Sequence, residues 1–169
     1  MSTALVVYES MFGNTAAIAK AVAAGLAATT SVDIVEVADA PTHLDEQVRL
    51  LVVGGPTHVF GMSRPSTRRS AAEQSAGRDV QTRLGIREWL DELDATSTQI
   101  AFATFDTKVK KPLVAGSAAR SAARRLRRLG FRRACRPTNF YVTATTGPLA
   151  SGETERATRW GGTLAAELG

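Results

Sequence analysis

The 169-residue sequence contains one cysteine, Cys135. That excludes an intrachain disulfide and leaves no cysteine cluster for a metal; Cys135 reads as a small residue near the start of a strand. No apolar run approaches the roughly 20 residues needed to cross a bilayer. The opening MSTALVVYESMFG lacks a basic n-region and a small-residue cleavage site, so a cytoplasmic location without a secretory signal is expected. No protein nucleophile or acid–base pair stands out, so no catalytic residue is assigned. Acids are missing altogether between Thr107 and Gly152.

That last gap makes the charge uneven. Residues 1–106 carry 8 Lys/Arg against 13 Asp/Glu, whereas residues 107–169 carry 13 against 3. Eleven basic residues fall between Lys108 and Arg136, so one region of the surface is expected to be strongly positive. Hydrophobic residues make up 44% and charged residues 22%, an ordinary globular balance at a length suited to one domain.

Short, nearly continuous apolar runs alternate with helical patterns. Ala4–Tyr8, Leu50–Val53, Ile100–Thr104 and Phe140–Thr143 read as buried strands, and Val32–Val37 as an edge-side strand. Between them, Ile18, Ala19, Val22, Ala23 and Leu26 recur at three- and four-residue steps. So do Ile86, Trp89, Leu90 and Leu93; Ala119, Ala122, Ala123, Leu126 and Leu129; and Ala157, Trp160, Gly161, Leu164 and Leu168. Both tryptophans lie on apolar faces and read as core. His43–Val48 has room for one or two helical turns. The alternation predicts an α/β domain: five strands in a parallel sheet with helices on both faces, three layers in all. Met62–Leu84 shows almost no large apolar residue. It is expected to be a polar, mobile insertion, centred on 63–84, in a single domain spanning 1–169.

Ser10-Met11-Phe12-Gly13-Asn14-Thr15 joins the first strand to the first helix. Such a junction offers free backbone N–H groups and the positive end of the helix dipole to an anion. Ser10 and Thr15 add hydroxyls, Gly13 permits a tight turn, and Asn14 can fasten it. The lysine of a Walker loop is absent and the pattern is not G-x-G-x-x-G, which disfavours a nucleoside triphosphate and a dinucleotide. On spacing alone, an anion site and a plain helix start with polar turn residues fit equally well.

The run Val6–Thr15 resembles the FMN phosphate loop of flavodoxins, S/T-x-T/S-G-N-T after the first strand. Ser10, Gly13, Asn14 and Thr15 match, while Met11 and Phe12 replace small hydroxyl residues and leave more of the task to backbone N–H groups. The resemblance extends over nearly the whole chain through the strand order. It implies a doubly wound sheet of order 2-1-3-4-5, with FMN in the crevice where the loops after strands one, three and four meet.

On the same resemblance, Pro56, Thr57, His58, Val59, Phe60 and Gly61 form the first loop bordering the flavin ring. Phe60-Gly61 matches the pair of an aromatic wall and a redox-adjusting glycine, though a packed anchor is the alternative for Phe60. The Pro-Thr-x-x-x-Gly run is also similar to the loop of flavodoxin-like quinone reductases. His58 is placed either to hydrogen-bond near the ring or in solvent. Thr104, Phe105 and Asp106 begin the second bordering loop, with Asp106 at the family's acidic position. The usual stacking tyrosine has no match, since Val109 falls there; Phe105 either replaces it or points into the sheet. Lys108, Lys110 and Lys111 invert the acidic surroundings of low-potential flavodoxins, which should raise the reduction potential.

The resemblance therefore implies an FMN-dependent redox protein that carries electrons between a reductase and an acceptor, either a partner protein or a small molecule. The alternatives are a small NAD(P)H-dependent quinone or nitro reductase, and a flavin-free interaction module. The basic stretch Lys108–Arg136 reads as a solvated helix face or as a dock for an acidic partner. Nucleic acid lacks support, since no aromatic residues interleave with the arginines.

Overall fold

In the computed structural model, which describes residues 3–57, 61–74, 84–94, 99–110 and 116–169, strand β1 (Ala4–Tyr8) is an inner strand of the sheet, paired on both edges. Side chains alternate across an extended strand. Ala4 and Val6 therefore enter one core, with Ile18, Val22 and Leu26, and Leu5 and Val7 enter the other, with Trp89, Leu90 and Leu126. A sheet apolar on both faces needs a helical layer on each side.

The remaining elements follow in chain order. They are α1 (Asn14–Ala27), β2 (Val32–Glu36), β3 (Leu50–Pro56), α2 (Pro65–Gln74), α3 (Ile86–Glu92), β4 (Ala101–Val109), α4 (Ala118–Arg128), β5 (Arg132–Arg133), β6 (Thr138–Val142) and α5 (Glu153–Ala166). The sheet order is β2-β1-β3-β4-β5, with β6 also pairing β4, and every pairing is parallel. This is the doubly wound, flavodoxin-like order. The chain reverses direction across the sheet between β1 and β3, and such a reversal opens a crevice at the carboxyl ends of those strands.

Several boundaries differ from the sequence pattern. The fifth strand position is filled by two segments: β5 pairs Ala101–Phe102 and β6 pairs Phe105–Val109. Pro137, which has no N–H to donate, lies in the break, and half-buried Cys135 sits there too. Strand β4 runs on to Val109 instead of ending at Thr104. Pro65–Gln74 is helical, where the lack of apolar periodicity predicts no element, and residues 75–83 lie outside the described residues. His43–Val48 is not helical.

Helices α1 and α5 pack closely on one face. A Cβ on Gly25 would lie 2.0 Å from the Thr158 carbonyl oxygen, and one on Gly161 2.2 Å from that of Val22. Phe105, Phe140 and Trp160 form an edge-to-face cluster in the same layer, with ring centroids 5.8–6.0 Å apart. On the opposite face, Trp89 is fully buried and its indole N–H donates to the Pro41 carbonyl at 3.1 Å.

Candidate functional site

Helix α1 starts at the carboxyl end of β1, inside the crevice. Gly13 precedes it with φ 89°, a left-handed conformation open to glycine without strain, and a Cβ there would meet only open space. The first turn contains no acid and Gly13 provides no side-chain cap. The Ser10 hydroxyl accepts from the Ala16 amide at 3.2 Å, which fixes the turn and leaves its own proton to donate. Thr15 is buried, its hydroxyl 2.7 Å from that of Thr107 on β4. Asn14 packs against the loop after β6: a Cβ on Gly147 would lie 2.7 Å from the Asn14 side-chain oxygen. Met11 is buried, and Phe12 is half-buried.

The turn thus offers backbone N–H groups, a hydroxyl and the positive end of a 14-residue helix, with no carboxylate in the first turn to repel an anion. Those donors fit a phosphate monoester.

The second region is built around Asp106, which is fully buried. Its Oδ2 accepts from the Thr57 hydroxyl (2.9 Å), the Ser117 hydroxyl (2.6 Å) and the Ala119 amide (3.1 Å), and its Oδ1 from the Asn139 amide group (2.7 Å). Thr57 in turn accepts from the Ala118 amide at 3.1 Å. One carboxylate therefore caps α4 and ties together the end of β3, the start of α4 and strand β6. Asp106 positions the loops around the crevice and has no free edge for a ligand.

Thr104 and Phe105 are likewise turned inward, correcting the expectation that they open a ring-bordering loop. The Thr104 hydroxyl donates to the Ala119 carbonyl at 2.9 Å, and the Phe105 ring covers Gly54 from within the core. The physical cause is the longer β4, which pairs with both β3 and β6 over this stretch and is buried on both faces. Pro56 ends β3, Thr57 is half-buried and Gly61 is buried. His58, Val59 and Phe60 lie outside the described residues.

A buried polar cluster that no local motif marks lies beneath the crevice. Glu9, directly after β1, is 2% exposed, and its Oε1 accepts from the Ile86 amide at 2.8 Å. Burial pushes its carboxyl above the usual range, against weaker downward pulls from the Ser63 hydroxyl, the Ile86 amide and Arg68. Its Oε2 has no hydrogen-bond partner, and Glu9 lines a cavity of about 10 Å³, room for a single water. Beside it, Arg68, 1% exposed, donates to Ser63 Oγ at 2.9 Å and binds both oxygens of Glu88 at 2.6 and 3.2 Å. The signal for Glu9 is an acid directly following an uninterrupted apolar strand.

The basic stretch is largely as expected. Arg120, Arg124, Arg127 and Arg128 are exposed along α4, and Arg132, Arg133 and Arg136 are exposed beyond it. Arg125 is half-buried and pairs with Asp91. Lys108 donates to the Gly116 carbonyl at 3.0 Å, and Lys110 lies over the Tyr141 ring. Among the described residues no helix is long and apolar enough to cross a membrane.

Comparison with solved structures gives the fold. An archaeal flavodoxin superposes with a TM-score of 0.70 at 21% identity, covering 98% of this chain and 97% of its own. Oxidised flavodoxin 1 from Bacillus cereus gives 0.70 at 16%, covering 98% and 99%. The rubredoxin:oxygen oxidoreductase of Desulfovibrio gigas gives 0.63 at 16%, with 98% of this chain matching 36% of that one. A search of curated proteins returns no match. The flavodoxin family model matches residues 6–160. The chain belongs to the flavodoxin family, and that membership implies FMN as its cofactor.

Proposed function

We propose that this protein binds FMN and carries electrons between a reductase and an acceptor. The observation that carries the proposal is the Ser10–Thr15 turn: an acid-free helix start entered through Gly13 at φ 89°, in a family built around FMN. Bound flavin supplies the redox chemistry. The chain's own residues bind and orient it. The Ser10 hydroxyl and the amides around Gly13, Asn14 and Thr15 hold the phosphate, and the Asn14 side chain buttresses the turn against Gly147. Pro56, Thr57 and Gly61 border the ring, with His58, Val59 and Phe60 assigned to the same loop by the resemblance. Asp106 keeps that loop in place through Thr57.

The basic face of α4 and the segment after it, including Arg120, Arg127 and Arg133, provides the docking surface for an acidic redox partner. Addition of FMN to the apoprotein tests the cofactor assignment. Tight one-to-one uptake, with the flavin's visible absorbance retained through gel filtration, is the expected result. A chain that stays colourless is instead a flavin-free interaction module.

One observation favours a second reading, a small NAD(P)H-dependent quinone or nitro reductase. Phe105 is packed in the core, so it does not cover the outer face of the ring. An uncovered face admits a substrate directly. Rapid quinone turnover by NAD(P)H without a partner reductase would establish that activity, whereas a carrier turns over slowly under those conditions.

A further inference from the structure

Five arginines from three parts of the chain converge on one concavity beside the loop after β3. Arg64 precedes α2, Arg87 lies on α3, and Arg124, Arg125 and Arg128 lie on α4; Gly61, Met62 and Ser121 complete the lining. The concavity encloses about 250 Å³. Helix-face arginines usually diverge into solvent, whereas two of these are held in place. Arg87 donates through Nε to the Ser63 carbonyl at 3.3 Å and through Nη2 to the Met62 carbonyl at 3.2 Å. Arg125 donates to the Arg87 carbonyl at 3.2 Å and pairs with Asp91.

Among the described residues, Asp91 is the carboxylate that pairs with this wall; Arg64, Arg124 and Arg128 have no ion pair. The nearby Glu88 is engaged with Arg68. Burial, and after it the charges of Arg64 and Arg125, lower the pKa of Arg87. Five like charges held together with one paired carboxylate oppose folding, and an anion seated among them relieves that penalty.

We infer that this cleft is a second anion site, which takes the phosphate or diphosphate group of a small molecule. Planar guanidinium groups match phosphate oxygens in pairs, and fixed ones lose little freedom on binding. A cleft of this volume accepts a diphosphate more readily than the extended acidic surface of a protein. It is separate from the Ser10–Thr15 turn, and the inference does not depend on flavin binding.

Calorimetric titration with inorganic pyrophosphate and with adenosine diphosphate, on the apoprotein and on protein carrying one equivalent of FMN, at about 0.15 M salt, tests it. Saturable one-to-one binding is expected. The double variant Arg64→Gln/Arg128→Gln should weaken it at least about tenfold with the melting temperature unchanged or raised. Arg127→Gln/Arg133→Gln, on the neighbouring face of α4 and its extension, should leave it intact. Tighter binding of the nucleotide assigns the cleft to a nucleotide diphosphate, and equal binding to diphosphates generally. Failure of both anions to saturate overturns the inference, as does equal weakening by the two double variants, which would indicate diffuse charge. Binding abolished by FMN would overturn it as well, by placing the anion in the Ser10–Thr15 turn.

Discussion

The hydroxyl of Thr15, in the first turn of α1, lies 2.7 Å from that of Thr107 near the end of β4, and both side chains are buried. The bond links the proposed phosphate turn to the strand that carries Asp106. Removing one hydroxyl leaves the other buried and without this partner, at a cost of about 1–3 kcal/mol. Thr15→Val and Thr107→Val should each lower stability by that order in denaturant titrations. The double variant should lose less than the two single losses combined, because no orphaned hydroxyl remains. Additive losses would show that the two groups do not act as a pair.

Glu9 makes a prediction about pH. Burial raises its folded-state pKa, so the folded protein binds its proton more tightly than the unfolded chain does. Stability then falls as pH rises from the ordinary carboxylate range through the raised value. Glu9→Gln keeps an acceptor for the Ile86 amide and removes the titration, so the variant should gain on the native protein over that window. Glu153 behaves oppositely. Its hydrogen bond from Arg156 lowers its pKa against opposing desolvation, and its contribution is lost on acidification through that lowered value. Because Glu153 is common to both proteins, the difference between their stability–pH curves isolates Glu9. A flat difference would contradict the assignment.

The parallel sheet and its helices were legible because strands buried on both faces leave apolar runs, and helices leave three- and four-residue steps. The turn at Ser10–Thr15 was legible because its residue types are local requirements of one junction. Thr104, Phe105 and Asp106 were not. Whether a strand stops at Thr104 or continues to Val109 depends on β6, whose partnership with β4 no local pattern encodes. The helix Pro65–Gln74 was hidden for a related reason: it is polar along its length, yet its Arg68 is buried against Ser63 and Glu88. Long-range polar contacts of that kind have no sequence period.

Gly25 and Gly161 set the spacing of α1 and α5. Glycine inside a helix is ordinarily about 1 kcal/mol worse than alanine, so alanine would stabilise an exposed site. Here the added methyl group would meet backbone oxygens 2.0 and 2.2 Å away, and backbone cannot rotate aside. The helices must move apart, and overpacking of that kind costs about 1–3 kcal/mol. Gly25→Ala and Gly161→Ala should therefore both lower the thermal midpoint. Gly162→Ala, where nothing lies within 4 Å, should leave it unchanged or raise it. A stabilising Gly25→Ala would rule out the close approach.

The lysines at the end of β4 bear on what the flavin would do once bound. Lys108 is held by the Gly116 carbonyl and Lys110 lies over Tyr141, and neither forms an ion pair with a carboxylate among the described residues. Reduction adds negative charge to the flavin, and nearby positive charge favours it. Removing such a charge near the surface costs about 1 kcal/mol, equivalent to about 20 mV for a two-electron couple. In FMN-loaded protein, Lys108→Gln/Lys110→Gln should lower the midpoint potential by a few tens of millivolts, and the shift should shrink at high salt as screening grows. Arg132→Gln/Arg159→Gln, on β5 and α5 and both exposed, removes the same two charges and serves as a control for net charge alone. Equal shifts from the two proteins would mean that the lysines act only through overall charge, whereas a larger shift from the lysine pair would place their charge close to the flavin.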